Sequence, residues 1–404
     1  MTIPSGKTRL LTRHFLLVSG ITFITFFAAF QLFPTVPLQL RRLGASLGES
    51  GRFMAVFTAG SSLGALVTGP LGDRVGQRRV VVVCAIGFGL LLGAYGLLRA
   101  RWLFYILAFP HGVVWSGLLT ATMATLGHVL PADRRADGLS LYGLASPAGV
   151  IFGPLVGLAV YERWGFAPMV SSLSVAFVIL GLLGLTLPPD PVRQERRSAL
   201  QLPGKAMIGP ASVLMATALG YGALGTYTAQ EALAQGFPML FGTVPTAAAF
   251  LSCMSVGMVI MRLIMIKVGF GSQPTRLLPG MLWATVAGLA LLAFLPGGLP
   301  RHVGSALLYG AGYSMVHTLV GTHVLESTPP SRRGAAFGAT LFAFDSGIGL
   351  GSFFIGGLIG WGCDRYGANG FRLGWAAAAL LALAAVPLSY GMLRASSAEP
   401  PENA

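Results

Sequence analysis

The chain has 404 residues, of which 54% are hydrophobic and only 10% charged, against roughly 25% charged in an ordinary soluble domain. Twenty-seven bases against thirteen acids leave a formal charge of +14. Such a composition excludes a disordered chain, which needs low hydrophobicity, and points away from a water-soluble domain toward the bilayer.

A spanning helix takes about 20 apolar residues, and twelve apolar stretches follow one another at 14–36, 53–71, 80–99, 102–127, 139–161, 166–187, 208–234, 241–265, 277–296, 302–325, 336–361 and 371–393. The first follows Lys7, Arg9 and Arg13 as a secretory leader would. It is too long for a leader, however, and its flank from Pro34 to Pro37 lacks a small-residue cleavage site. The expected fold is therefore an all-α membrane protein of twelve transmembrane helices. Between the sixth and seventh stretches, Pro188, Pro189, Asp190, Pro191, Arg193, Glu195, Arg196 and Arg197 form a polar interruption. This divides the chain into a six-helix bundle over 1–188, a cytoplasmic linker over 189–207, a second six-helix bundle over 208–393 and a disordered tail over 394–404.

With the N-terminus in the cytoplasm, 18 of the 27 bases lie on cytoplasmic segments and 9 on outer ones, none deep in a span. A basic excess on one side sets orientation, so both termini are expected inside. Spread over short segments, these bases do not form a nucleic-acid-binding face. Cys84, Cys253 and Cys363 have no metal-ligand or disulfide spacing.

Sliding the chain by 198 positions lays Pro131, Arg134 and Arg135 on Pro329, Arg332 and Arg333, and Gly149 and Gly153 on Gly347 and Gly351. The same shift lays Ala108, Gly112, Ser116 and Thr120 on Ala306, Gly310, Ser314 and Thr318. Six helices return a chain to its starting side, so the two copies are parallel repeats, an arrangement used by transporters with a midplane site between the halves.

Between the second and third stretches lie Gly69, Leu71, Asp73, Arg74, Gly76, Arg78 and Arg79. The glycines suit close approach and a tight turn, and the arginines can pair with acids or lipid phosphates at the membrane surface. The fifth stretch carries Gly149, Gly153, Pro154 and Gly157, a smooth glycine stripe with a proline that can bend the helix. The first segment resembles the signature loop of the major facilitator superfamily. The second resembles the antiporter motif of its twelve-span exporters, lacking a second glycine after Gly157. The whole chain, tails apart, is most similar to sugar-efflux-like and drug-efflux-like bacterial members. The resemblance implies two pseudo-symmetric six-helix bundles rocking about a central cavity, with Asp73 and Arg74 clasping the cytoplasmic gate. Where proton-driven members carry an arginine in the fourth span, this chain has Ala108, followed by His111 and Gly112.

An acid inside the bilayer costs several kcal/mol unless paired or neutralised and is by default a functional candidate. Asp345 lies well inside the eleventh span and Glu231 toward the outer end of the seventh. Together with His111 they are the proton-coupling candidates; the alternative for each is a structural group held by hydrogen bonds. Helical spacing and the resemblance nominate Gln31, His111, Trp115, Tyr227, Gln230, Tyr309, Tyr313 and His317 as cavity-lining residues, and an aromatic, sparsely charged cavity suits an amphipathic organic solute. The sequence contains no phosphate-binding loop, metal-binding helix motif or nucleophile elbow, so no cofactor, metal or enzymatic activity is expected. Export of a small organic solute from a bacterial inner membrane by proton antiport, by a monomer, is the leading expectation. Uptake by symport or facilitated diffusion is the second, and a non-transporting membrane receptor is the alternative of another class.

Overall fold

The computed structural model describes residues 10–131, 134–189, 207–237, 239–240, 244–245, 248–268, 274–328 and 333–398. In chain order the helices are α1 (Arg13–Arg42), α2 (Leu47–Ser50), α3 (Arg52–Val75), α4 (Gln77–Leu97), α5 (Arg101–Val129), α6 (Arg135–Tyr142), α7 (Ala145–Trp164) and α8 (Phe166–Gly184). The second half has α9 (Ile208–Ala234), α10 (Ala249–Val268), α11 (Leu278–Phe294), α12 (Leu299–Ser327), α13 (Arg333–Tyr366) and α14 (Gly370–Ala398). Two-residue strands β1 (Met239–Leu240) and β2 (Val244–Pro245) pair antiparallel before α10.

Lipid offers the backbone no hydrogen-bonding partner, so each apolar run closes its own bonds as a helix. Ten described segments are long and apolar enough to span a bilayer, the last of them, Ala339–Leu393, taking in both α13 and α14. The 29-residue α12 is long enough but lies outside the ten; Arg301, His302, Ser305, Ser314 and His317 interrupt its apolar run. Outward-facing Leu90, Ile106, Val175, Ile266 and Leu380 are exposed, and only lipid can cover such an apolar belt.

Each half is wired alike. In the first, α1 packs on α7, α3 on α5 and α4 on α8; in the second, α9 packs on α13, α10 on α12 and α11 on α14. The duplication extends to single contacts. A methyl group at Gly149 would stand 2.7 Å from the Phe23 carbonyl oxygen, and one at Gly347 would stand 2.7 Å from that of Met215. Ser116 and Ser314 bend their hydroxyls to Val113 and Ala311 at 3.1 Å in both cases. Helices α5 and α7 thus repeat in α12 and α13 at the 198 shift seen in the sequence, while the glycine-contacting residues of the first helices repeat six positions short of it.

Several expected boundaries move. The fifth span, expected over 139–161, breaks after α6: Pro147 has no amide hydrogen and its ring clashes with the Gly143 carbonyl in a continuous helix, so α7 starts at Ala145. Pro34 and Pro37, expected to flank the first helix, lie inside α1, which runs on to Arg42. The eighth helix begins at Ala249 rather than 241, because Pro245 holds the preceding Val244 extended. Residues 394–398 of the expected tail are still helical in α14; 399–404 lie outside the described residues, as do 190–206 of the expected linker. Arg301, counted among the bases outside the spans, lies in the first turn of α12 and is 7% exposed.

Candidate functional site

The halves touch at the end of the molecule that carries α2, where glycines let backbones approach. The Tyr227 hydroxyl donates to the Ser352 carbonyl at 3.1 Å and lies 3.4 Å from that of Gly48. Gln230 Nε2 donates to Ser50 Oγ at 3.2 Å. Ser352 Oγ meets Thr226 Oγ1 at 2.8 Å and donates to the Gly51 carbonyl at 3.2 Å. The short helix α2 is fixed for this role by a capping box: Ser46 caps Glu49, whose carboxylate accepts from the Ser46 amide. Arg101 then pairs with Glu49 at 3.4 Å. Tyr227 and Gln230, expected in the cavity, are parts of this seam. A cleft of about 400 Å³ lies beside it, lined in part by Glu49, Arg52, Trp361 and Asp364.

Deeper in the bundle, Ser61 of α3 donates to Asp345 Oδ2 of α13 at 2.6 Å, bridging the halves. Among the described residues no arginine, lysine or histidine forms an ion pair with Asp345. Aromatic rings gather around this level. Tyr221 of α9 stacks on Tyr313 of α12 (centroids 4.8 Å apart, planes 8° apart), and Tyr313 on Tyr309 at 5.2 Å. Phe344, beside Asp345, neighbours Tyr313 and His317. From the first half, Trp115 packs edge-on against Phe26 and Phe57. Trp115 and Tyr221, from opposite halves, cover one cluster of Ala29, Phe30 and Val150. The hydroxyls of Tyr309 and Tyr313 are buried and have no hydrogen-bond partner among the described residues. Tyr221 was missed in the sequence because its partners lie on other helices.

His111 sits instead in the first-half core. It is 1% exposed, its Nδ1 lies 3.3 Å from the Tyr95 hydroxyl, and the rings of Phe57 and Phe88 enclose it. Gln31 is also buried, its Cβ pressed against Gly157 in the α1–α7 seam.

Glu231 has a full set of partners within the second half. Arg301 Nη2 lies 2.6 Å from Oε1, Trp375 Nε1 donates to Oε2 at 2.8 Å, and Gln235 Nε2 donates to Oε1 at 2.8 Å. His302 Nε2 approaches Oε2 to 3.2 Å without hydrogen-bond alignment. Glu231, Arg301, His302 and Trp375 are all buried. A carboxylate so compensated ties α9 to α12 and α14, which is the structural alternative for this acid. Arg301, His302 and Trp375 were not singled out in the sequence; an Arg-His pair directly after Pro300 was the only mark they left.

At the opposite end, the signature segment is nearly all helix. The α3 helix continues through Val75 and α4 starts at Gln77, leaving Gly76 alone to turn the chain at φ +100°. That φ lies where a Cβ is strained. Asp73 and Arg74 are exposed, and Asp73 accepts from Gln77 at 3.1 Å within its own turn. Arg78 reaches the Leu187 carbonyl beyond α8 at 3.4 Å. Leu71 and Arg79 are exposed, and Gly69 is half-buried. Among the described residues, neither Asp73 nor Arg74 pairs with the other half. The glycine motif of α7 faces α1: a methyl at Gly153 would stand 2.8 Å from the Phe27 carbonyl oxygen, and Pro154 is buried beside it.

Two similarly wired bundles, joined at one end and bridged at mid-depth by a polar contact among aromatic rings, define the architecture of a secondary transporter. The family model for the Major Facilitator Superfamily matches residues 18–352, and the chain belongs to that superfamily: it is a multi-pass membrane transporter of small molecules, not an enzyme. The staphylopine export protein of Staphylococcus aureus is 21% identical over 358 residues, covering 85% of this chain and 88% of that protein. A triacylglyceride transporter of Mycolicibacterium hassiacum is 27% identical over 226 residues, covering 52% of this chain but only 40% of its relative. The nucleoside transporter NupG superposes with a TM-score of 0.79 at 14% identity, covering 94% of this chain and 100% of that structure.

Proposed function

We propose that the chain exports a small organic solute across a bacterial cytoplasmic membrane in exchange for protons, as a monomer with both termini in the cytoplasm. The basic excess assigns the Arg74 end to the cytoplasm. On this reading the seam around Tyr227 and Ser352 closes the outer face and the conformation is the inward-facing one. Asp73 and Arg74 are the inner clasp, open in this state and closing on the other half when the bundles rock. Two six-helix bundles joined by the linker are the moving parts.

The observation that carries the reading is the Ser61–Asp345 bond at 2.6 Å between the halves. A carboxylate at that depth without a fixed cation gains most by taking a proton, and its position between the bundles lets its occupancy bias their rocking. The glycine motif of α7 and the export named for the Staphylococcus relative support the outward direction. Glu231, held by fixed partners, and His111, enclosed by rings in the first-half core, leave the proton-carrying role to Asp345. Trp115, Tyr309, Tyr313 and His317 provide the aromatic lining for solute. Uptake by symport is the second reading, favoured by Ala108 at the position where proton-driven members carry arginine.

A thermal-shift panel of solutes selects a ligand, whose flux is then followed in proteoliposomes with a pH-sensitive dye inside. Antiport predicts solute and protons moving in opposite directions, and loss of gradient-driven flux in Asp345→Asn with unchanged thermal unfolding. Co-directional movement would establish symport, gradient-independent flux would establish facilitated diffusion, and binding without flux would leave a receptor. Gradient-driven rates that survive Asp345→Asn would remove Asp345 from the mechanism.

A further inference from the structure

The cleft beside the α2 seam has no part in the central site, yet both halves build it. One wall is α2 and the start of α3, the other the last turns of α13. Its volume of about 400 Å³ falls within the ~300–1,000 Å³ of small-ligand pockets. The charges divide between the walls. On the first half, the Glu49 carboxylate accepts from the Ser46 amide and pairs with Arg101 at 3.4 Å. Arg52 reaches it only at 3.5 Å, with half of its side chain exposed, so most of its donors are free for another anion. Two guanidiniums against one carboxylate leave that wall positive. On the α13 wall Asp364 is exposed, and among the described residues no cationic side chain lies within ion-pair distance of it. The adjacent Arg365 turns instead to the Trp361 ring, 4.9 Å from its centroid. Polarity also changes with depth. Exposed Trp361 marks the level at which indole rings sit in a bilayer interface. Phe354 comes ten residues before Asp364, ~15 Å nearer the membrane centre at the rise of a helix, and it is exposed together with Phe353. Between these levels a methyl group at Gly357 would meet nothing within 4 Å, so this glycine leaves the cleft open.

We propose that this cleft is a binding site for a phospholipid of the leaflet at the α2 end, selective for an ethanolamine headgroup. The phosphate meets Arg52, the ammonium meets Asp364, and the acyl chains run down over Phe353 and Phe354. Opposite charges on facing walls complement a zwitterion, and the exposed rings below them complement its chains. A primary ammonium brings three donors to the Asp364 carboxylate. A choline headgroup brings none, and a glycerol headgroup brings no positive charge. Because the walls belong to different halves, a lipid seated here joins them next to the contact of Tyr227 with Ser352. The site selects no solute and goes beyond the transporter reading.

The test is native mass spectrometry of the full-length protein in detergent with equal amounts of dioleoyl-phosphatidylethanolamine, dioleoyl-phosphatidylcholine and dioleoyl-phosphatidylglycerol, scoring the first lipid retained. The ethanolamine lipid is expected to be retained about five-fold over either of the others, a factor that one partly exposed ion pair supplies. Asp364→Asn should erase that preference, and Arg52→Gln should weaken retention of all three lipids. Gly357→Trp fills the open space and should occlude the site, whereas Leu380→Trp, at an exposed position on α14, should leave the preference as it is. Each variant is compared at matched elution and thermal unfolding; Asp364, being exposed, can change without disturbing the core. Equal retention of the three lipids by the unmodified protein would overturn the inference, and so would a preference that survives Asp364→Asn or Gly357→Trp. The measurement follows no solute, so the exporter reading stands or falls separately.

Discussion

Two acids at helix positions in the second half, Glu231 buried and Asp345 half-buried, have opposite chemistry because of one residue each. Removing the charge of Glu231 leaves the Arg301 guanidinium buried with no anion, and breaking a buried pair from one side costs ~3–5 kcal/mol. Glu231→Gln is therefore expected to lower the thermal unfolding temperature in detergent markedly, and adding Arg301→Met to it should recover much of the loss. A double variant as unstable as the single would show that the pair is not the source of the stability. Asp345→Asn is a contrasting case: the Ser61 hydroxyl can still donate to the amide oxygen and no buried cation is left unpaired, so folding should hold while transport changes. Ser61→Ala removes that bond between the halves. It is expected to alter the pH profile of transport, and Ser61→Thr, which keeps the hydroxyl, should restore it.

Several helix pairs in each half approach one another closely at glycines, beside the larger side chains that fill each core. In lipid there is little hydrophobic gain from helix association, so close backbone approach and dispersion contacts hold the pairs. Gly149, Gly153 and Gly157 make the α1–α7 seam, and any side chain at Gly153 meets the Phe27 carbonyl at 2.8 Å or less. Gly153→Leu is expected to push α7 off α1, with an overpacking cost of about 1–3 kcal/mol, read as a lower unfolding temperature and poorer accumulation in the membrane. A variant as stable as the parent would mean that the seam has room the structure does not show. Gly76→Val should also destabilise, by about 1–2 kcal/mol, through its backbone conformation alone.

As a whole, the molecule is closed at the α2 end by contacts among Ser50, Gly51, Tyr227, Gln230 and Ser352, and the proposed rocking of the bundles requires them to part. With the three native cysteines replaced, a short bis-thiol-reactive linker between Ser50→Cys and Gln230→Cys is expected to form readily and abolish transport, while each single variant treated alike keeps it. Transport undiminished by the complete cross-link would show that the seam is not a gate. Cross-linking should leave a cysteine introduced at Leu71 open to a polar maleimide from its own side of the membrane, since the proposed rocking closes that end only when the seam opens.

The membrane class, the helical runs and the duplication were legible from residue order alone, because each depends on local chemistry. An apolar run of bilayer length must become a helix wherever its neighbours lie, and a repeat preserves Gly112 and Gly310, or Ser116 and Ser314, at a constant spacing. Even the break before α7 was written locally, in Pro147. Which acid carries a fixed cation was not, since Arg301 reaches Glu231 across 70 residues and Ser61 reaches Asp345 across 284. The same holds for Tyr227, which faces a partner backbone, and for His111, which is enclosed by rings from other helices. A helix presents similar polar residues to a core, a seam or a central hollow, and only the packing of distant helices determines which of them each residue meets.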